Sequence, residues 1–138
     1  MTSEDFREMM VKQRAKNDSD TDTHEHVLGA CLNWLAVQMI AGKRVAAWRV
    51  DTGRNIYQGA DGTWRVGRPY GTKGAADATG ILPGGRRFDF DVKIGKDQLS
   101  PEQAEFAKMI RERGGFYWVV RDCVQSLEEQ FVEAVKTL

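Results

Sequence analysis

The sequence predicts an α/β fold, a small mixed β-sheet flanked by helices, and three observations lead there. Apolar residues recur at helical spacing in four separate stretches. Short runs rich in β-branched and aromatic residues lie between those stretches and are punctuated by Gly and Pro. The segment from Arg86 to Arg121 reads strand, helix, strand, and a crossover of that kind makes its two strands parallel.

The elements follow in chain order. Residues 3–16 read as a short charged helix with Phe6, Met9 and Met10 in step, and Asn17–Thr23 as a polar linker. Asp18, Asp20 and Asp22 imitate the start of a calcium loop, but Thr23 and Gly29 occupy its turn and final-ligand positions, which excludes it. Thr23 is placed to N-cap a helix running to about Ala41, with Val27, Leu28, Cys31, Leu32, Leu35 and Met39 as its apolar stripe and Gly42 as its stop. Arg44–Val50 reads as a strand, and a small hairpin is expected across Ala60-Asp61-Gly62. Ala76–Leu82 and Arg86–Ile94 form a second hairpin about the Pro83-Gly84-Gly85 turn. Ser100, Pro101 and Gln103 compose a capping box that opens a helix to Arg113. Phe116–Arg121 is a near-continuous apolar strand, as a parallel neighbour should be. Ser126 and Glu129 form another capping box before a last helix with Leu127, Phe131 and Val135 inward. The expected order is α-α-β-β-β-α-β-α, with the small hairpin after the first strand. Residues 1–23 form an N-terminal helix and linker, and residues 24–138 a single domain.

Composition narrows the function classes. The chain has 138 residues, equal numbers of basic and acidic side chains and 41% hydrophobic residues, which is the profile of an ordinary soluble domain. No apolar run approaches the roughly 20 residues of a membrane span. Cys31 and Cys123 are too few for a disulfide framework, and both are expected to be reduced and buried in a cytoplasmic protein. The neutrality hides a division. Residues 43–93 carry ten basic and five acidic side chains, and both flanks are net acidic. Trp34, Trp48 and Trp118 are expected in the core, with Trp64 the one tryptophan suited to exposure. His24 and His26, two apart on a helix, make a poor chelate and are expected in surface or capping roles.

The strand RFDFDVK, residues 87–93, carries the chemistry. Alternation puts Phe88, Phe90 and Val92 on one face and Asp89, Asp91 and Lys93 on the other. Two carboxylates and an ammonium in one row are costly to desolvate without partners or a metal. Asp89 is expected to be structural. Asp77 opens the preceding strand among small residues, near Asp91 and Lys93 across the hairpin. Oxygen ligands from two strands suit Mg²⁺ or Mn²⁺.

These residues, in GAADATGILPGGRRFDFDVK followed by GKDQLSPEQAEFAKMIRERGGFYWVVR, resemble the VRR-NUC (virus-type replication-repair nuclease) family of the PD-(D/E)xK nuclease superfamily. Glu25 and WRVDTG, residues 48–53, add to the resemblance, which spans roughly residues 24–125. It implies a restriction-endonuclease-like core and a divalent-metal-dependent deoxyribonuclease, a stand-alone phage-type homodimer in the bacterial cytoplasm that cuts DNA, branched DNA or Holliday junctions among the candidates. Asp77, Asp91 and the Val92 carbonyl would hold the metal, Lys93 would orient or activate the attacking water, Glu25 would support a second metal or a water, and Gln103 would stand near the site. The family usually has Glu at the position of Asp91. Arg49, Lys73, Arg86 and Arg87 are candidate DNA contacts, because such binding rests mostly on phosphate neutralisation. Arg49 has a second reading, an ion pair with a site carboxylate. The alternative function is a DNA-binding or partner-binding protein of the same fold that does not cleave.

Overall fold

A computed structural model describes residues 23–51 and 53–138. The expected helix over 3–16 and most of the linker lie outside these residues. Helix α1 spans Thr23–Ala36. Strands β1 (Met39–Ile40) and β2 (Lys43–Arg44) form a minimal hairpin. Strand β3 (Ala46–Arg49) leads to a two-stranded arm of β4 (Gly53–Gln58) and β5 (Trp64–Tyr70). Then come β6 (Ala78–Ile81), β7 (Arg87–Lys93), α2 (Pro101–Glu112), β8 (Phe116–Arg121) and α3 (Val124–Val135).

The central sheet has four strands in the order β3-β6-β7-β8. β3 and β7 both pair antiparallel with β6, and β7 pairs parallel with β8. The mixed α/β architecture and the parallel β7–β8 pair therefore match the sequence reading. Helices α1 and α3 cover one face, where Leu28, Cys31, Leu35, Phe88, Phe90, Val92, Trp118, Leu127 and Phe131 form the main core. Helix α2 covers the other face with a smaller cluster of Ala76, Phe106, Ala107, Ile110 and Tyr117. β8 lies at the sheet edge yet is covered on both sides, which explains its unbroken apolar run.

Four expectations are corrected. Helix α1 stops at Ala36 instead of Ala41, and the Gln38 side chain donates to the Trp34 carbonyl at 3.0 Å near its end. Ala41 and Gly42 both have positive φ, the two-residue turn that joins β1 to β2, so Gly42 closes a hairpin and not a helix. Helix α3 begins at Val124, before Ser126. The Ser126 hydroxyl accepts the Arg121 N–H at 3.1 Å, so β8 uses the group that the capping box would have needed. Trp48 is 49% exposed, because it sits on edge strand β3 while α2 packs against β8 on the far side of the sheet. Cys31 is buried, with its thiol pushed up to about 11 by desolvation, but Cys123 is exposed where the chain turns into α3.

Two glycines set how closely the layers approach. At Gly74 (φ +80°) a Cβ would lie 2.3 Å from the Glu102 carbonyl oxygen, so the loop before Asp77 packs on the first turn of α2. At Gly80 a Cβ would meet the Phe88 ring at 2.2 Å and the Ala46 carbonyl at 2.5 Å. Phe88 in turn stacks on Trp118 with centroids 5.0 Å apart. Gly80→Ala must push Phe88 or β3 aside, and overpacking of this kind costs about 1–3 kcal/mol. Urea unfolding should show a lowered midpoint, and an unchanged midpoint would mean that β3 is not packed this tightly.

Candidate metal and phosphodiester site

The site begins with register. Ala78 pairs with Phe90, so the next step along the antiparallel ladder places Asp77 opposite Asp91 on the face covered by α2. Asp91 is fully buried. Its Oδ1 accepts the Asp77 backbone N–H at 3.1 Å and its Oδ2 accepts the Tyr117 hydroxyl. Asp77 is 27% exposed, and its Oδ2 accepts the Val92 N–H at 2.9 Å. That contact turns the Val92 peptide toward Asp77. The strand root is further fixed by the Val50 N–H, which donates to the Asp77 carbonyl at 2.9 Å.

Lys93 follows on the same face and donates to Gln103 Oε1 at 2.9 Å. Gln103 also completes the capping box, since Oε1 accepts the Ser100 N–H at 2.9 Å while Ser100 Oγ accepts the Gln103 N–H. One residue thus ties the start of α2 to the end of β7. Asp89 is buried and paired with Arg87 at 2.8 Å, a structural ion pair on the same row.

The electrostatics are unusual at one point. Burial pushes the Asp91 carboxyl up from its ordinary value; the Tyr117 hydrogen bond opposes that shift, and the neighbouring Asp77 charge adds to it. Tyr117 is itself pushed up by burial and by its hydrogen bond to the neighbouring Asp91 carboxylate. Among the described residues, neither Asp77 nor Asp91 forms an ion pair with Lys or Arg. Two carboxylates side by side, one of them buried, are a place where a divalent cation would relieve repulsion. The donor set agrees in kind: carboxylate oxygens and a backbone carbonyl suit a hard cation that keeps several waters. No group of three or more His, Cys, Asp or Glu side chains spaced for a metal occurs among the described residues. A cation here would therefore rest on Asp77, Asp91, the Val92 carbonyl and water.

The other predicted site residues take these places. Glu25, on the first turn of α1, accepts from both terminal guanidinium nitrogens of Arg49, one of them at 2.8 Å. That pair holds the Glu25 carboxyl below its usual range. Arg49 is thus engaged with a carboxylate, its second reading. Lys73 pairs with Glu102 at 3.3 Å. Arg86 donates to the Gly114 carbonyl at 2.8 Å and lies over the Phe116 ring. Arg87 holds Asp89.

Two contacts have no forerunner in the sequence reading. His24 Nε2 lies 3.0 Å from Asp77 Oδ2, and its Nδ1 lies 3.6 Å from Glu25 Oε1. His24 therefore stands between the helix carboxylate and the strand carboxylate. Tyr117 closes over Asp91 from β8. In the parallel register Tyr117 stands opposite Asp89, two residues before Asp91 on the same face. Comparison with protein-family models, with curated proteins and with solved structures finds no match for this chain. Among the described residues no helix is long and apolar enough to cross a membrane.

Proposed function

We propose that this chain is a divalent-metal-dependent deoxyribonuclease with a restriction-endonuclease-like core, in keeping with its resemblance to the VRR-NUC family. The observation that carries the reading is Asp77 opposite Asp91 at the paired end of β6 and β7, with Lys93 next on the same face. Bound by Asp77, Asp91 and the Val92 carbonyl, Mg²⁺ or Mn²⁺ would supply Lewis-acid charge and an acidified water. The chain's own residues do the rest. Tyr117 and the Asp77 N–H fix the Asp91 carboxylate, and His24 and the Val92 N–H fix that of Asp77. Lys93, steadied by Gln103, places a positive charge where negative charge grows on the phosphate. Glu25, held by Arg49 beside His24, is placed to order a water at the edge of the site. A homodimer would present two such sites to two DNA strands, as the resemblance implies.

Single-turnover cleavage tests this reading. Lys93→Ala should slow cleavage by about 10²–10³-fold, the usual cost of removing one charge-stabilising donor. Its DNA affinity, measured in EDTA, should stay within about twofold of wild type, since one phosphate contact among many is a small share of binding. Cleavage by Lys93→Ala at the wild-type rate would remove Lys93 from the chemistry. A second reading, a DNA-binding protein that does not cleave, draws on the burial of Asp91 and the engagement of both its oxygens by protein donors.

A further inference from the structure

The β4–β5 arm is inserted between β3 and β6, the two strands that meet beside Asp77. It leaves the sheet after Val50, whose N–H holds the Asp77 carbonyl, and returns through the Gly74 loop packed on α2. Both roots are therefore anchored at the candidate site. From the Gly53–Tyr70 pair to the Gln58–Trp64 pair the arm runs five residues, about 17 Å at the usual strand rise. Its end is built by its own hydrogen bonds: Gly59 N–H to the Thr63 carbonyl at 2.9 Å, Thr63 N–H to Asp61 at 3.0 Å, and the Gln58 amide to the Gly62 carbonyl at 3.0 Å.

A two-stranded hairpin alone is marginally stable in water and gains nothing by displaying large apolar groups. This one displays Trp64 at 68% exposure, Val66 at 61% and Tyr57 at 49%. Register puts Trp64 beside Gln58 on one face and Tyr57 beside Arg65 on the other. Residues 53–70 include three arginines and a single acid. Exposed aromatic rings beside the Arg65 guanidinium, which also pairs with Asp61 at 3.2 Å, on a hairpin rooted next to Asp77, match the chemistry of unpaired nucleic-acid bases. Aromatic rings stack on base faces and cations meet the backbone. In a duplex those base faces are hidden, and only base edges are offered to a protein.

We propose that the arm binds single-stranded DNA, with Trp64 stacking on an unpaired base, and so selects substrates with a single-stranded segment beside the scissile phosphate. The inference rests on the nuclease reading for its substrate, while the binding itself is measured without cleavage.

The test is fluorescence anisotropy in EDTA with a labelled oligo-dT strand and a duplex of the same length, for wild type, Trp64→Ala and Trp64→Phe. Trp64 is exposed, so both variants should keep the wild-type circular dichroism and melting temperature. Trp64→Ala should weaken oligo-dT binding by about tenfold, the scale of one lost base stack. Its duplex binding should change by less than about twofold, and Trp64→Phe should fall between. Unchanged oligo-dT affinity in Trp64→Ala, or an equal loss on both DNAs, overturns the proposal. So does wild-type self-association in sedimentation that Trp64→Ala abolishes, because the arm would then bind a second copy. Tight, Trp64-dependent strand binding without cleavage in either Mg²⁺ or Mn²⁺ would leave the arm intact and sink the nuclease reading. Cleavage that ignores Trp64 would do the reverse.

Discussion

Asp77→Ala is expected to remove divalent-cation binding from this protein and cleavage with it. Asp77 is the more open of the two facing carboxylates, and a cation approaching from solvent meets it first. Loss of even an outer partner of a metal ligand costs about 10–100-fold in affinity, so loss of this carboxylate should weaken Mn²⁺ binding by at least about 100-fold in a calorimetric titration. The alanine also leaves the Val92 N–H without its acceptor, which costs about 1–3 kcal/mol of stability. Asp77→Asn separates the two effects. Its amide oxygen can still accept from Val92, so its melting temperature should stay near wild type while cation binding is lost. Undiminished Mn²⁺ binding by a folded Asp77→Asn protein would refute the ligand role.

Asp91→Asn is the second large effect, and its direction is counter-intuitive. A buried carboxylate normally stabilises through its partners, but here desolvation and the Asp77 charge oppose ionisation. An asparagine can accept the Asp77 N–H and donate to the Tyr117 oxygen, which keeps the geometry and removes the repulsion. In EDTA the variant should be more stable than wild type by about 1 kcal/mol, the usual size of a stability gain made at the expense of a functional site. The pH dependence has a definite sign. Because the folded-state value of Asp91 is raised, the folded protein holds that proton more tightly than the unfolded chain. The cost of ionising Asp91 is therefore fully present above its raised folded value. It fades as pH falls toward the ordinary aspartate value of about 3.9, and the gap between variant and wild type should close on acidification. Cleavage by Asp91→Asn should be lost. Asp91→Ala, which orphans both the Tyr117 hydroxyl and the Asp77 N–H, should be destabilised. If Asp91→Asn proves as unstable as Asp91→Ala, the carboxylate is a structural anchor for Tyr117 and not a strained site residue.

How much of this was legible depends on whether the signal was local. The alternation in RFDFDVK fixes which residues face the main core and which face α2, because strand periodicity needs no knowledge of neighbours. The box of Ser100 and Gln103 was equally readable, although its second use, holding Lys93, depends on where α2 lands. The end of α1 was misread because Val37, Met39 and Ile40 continue an apolar pattern while the Ala41-Gly42 turn imitates a helix stop. The start of α3 was misread because Ser126 and Glu129 satisfy the capping spacing, yet a strand N–H claims the serine oxygen. Trp48 looked like a core residue because sequence does not say how far α2 extends across the sheet. His24 and Tyr117 reach the aspartates across 53 and 26 residues of chain, and no spacing rule links groups that far apart. The pairing of Arg49 with Glu25 is of the same long-range kind and was open to two readings for that reason.

In the proposed function the Asp77–Asp91 pair and Lys93 form a metal-dependent phosphodiester-cleaving site. It is tested most directly by incubating the wild-type chain with supercoiled plasmid, single-stranded DNA and a four-way junction, in Mg²⁺, in Mn²⁺ and in EDTA. Strand breaks in either metal on at least one substrate, none in EDTA and none with Asp77→Asn are the predicted results. Intact DNA throughout, from protein that binds it, or breaks that persist in EDTA, would contradict the claim.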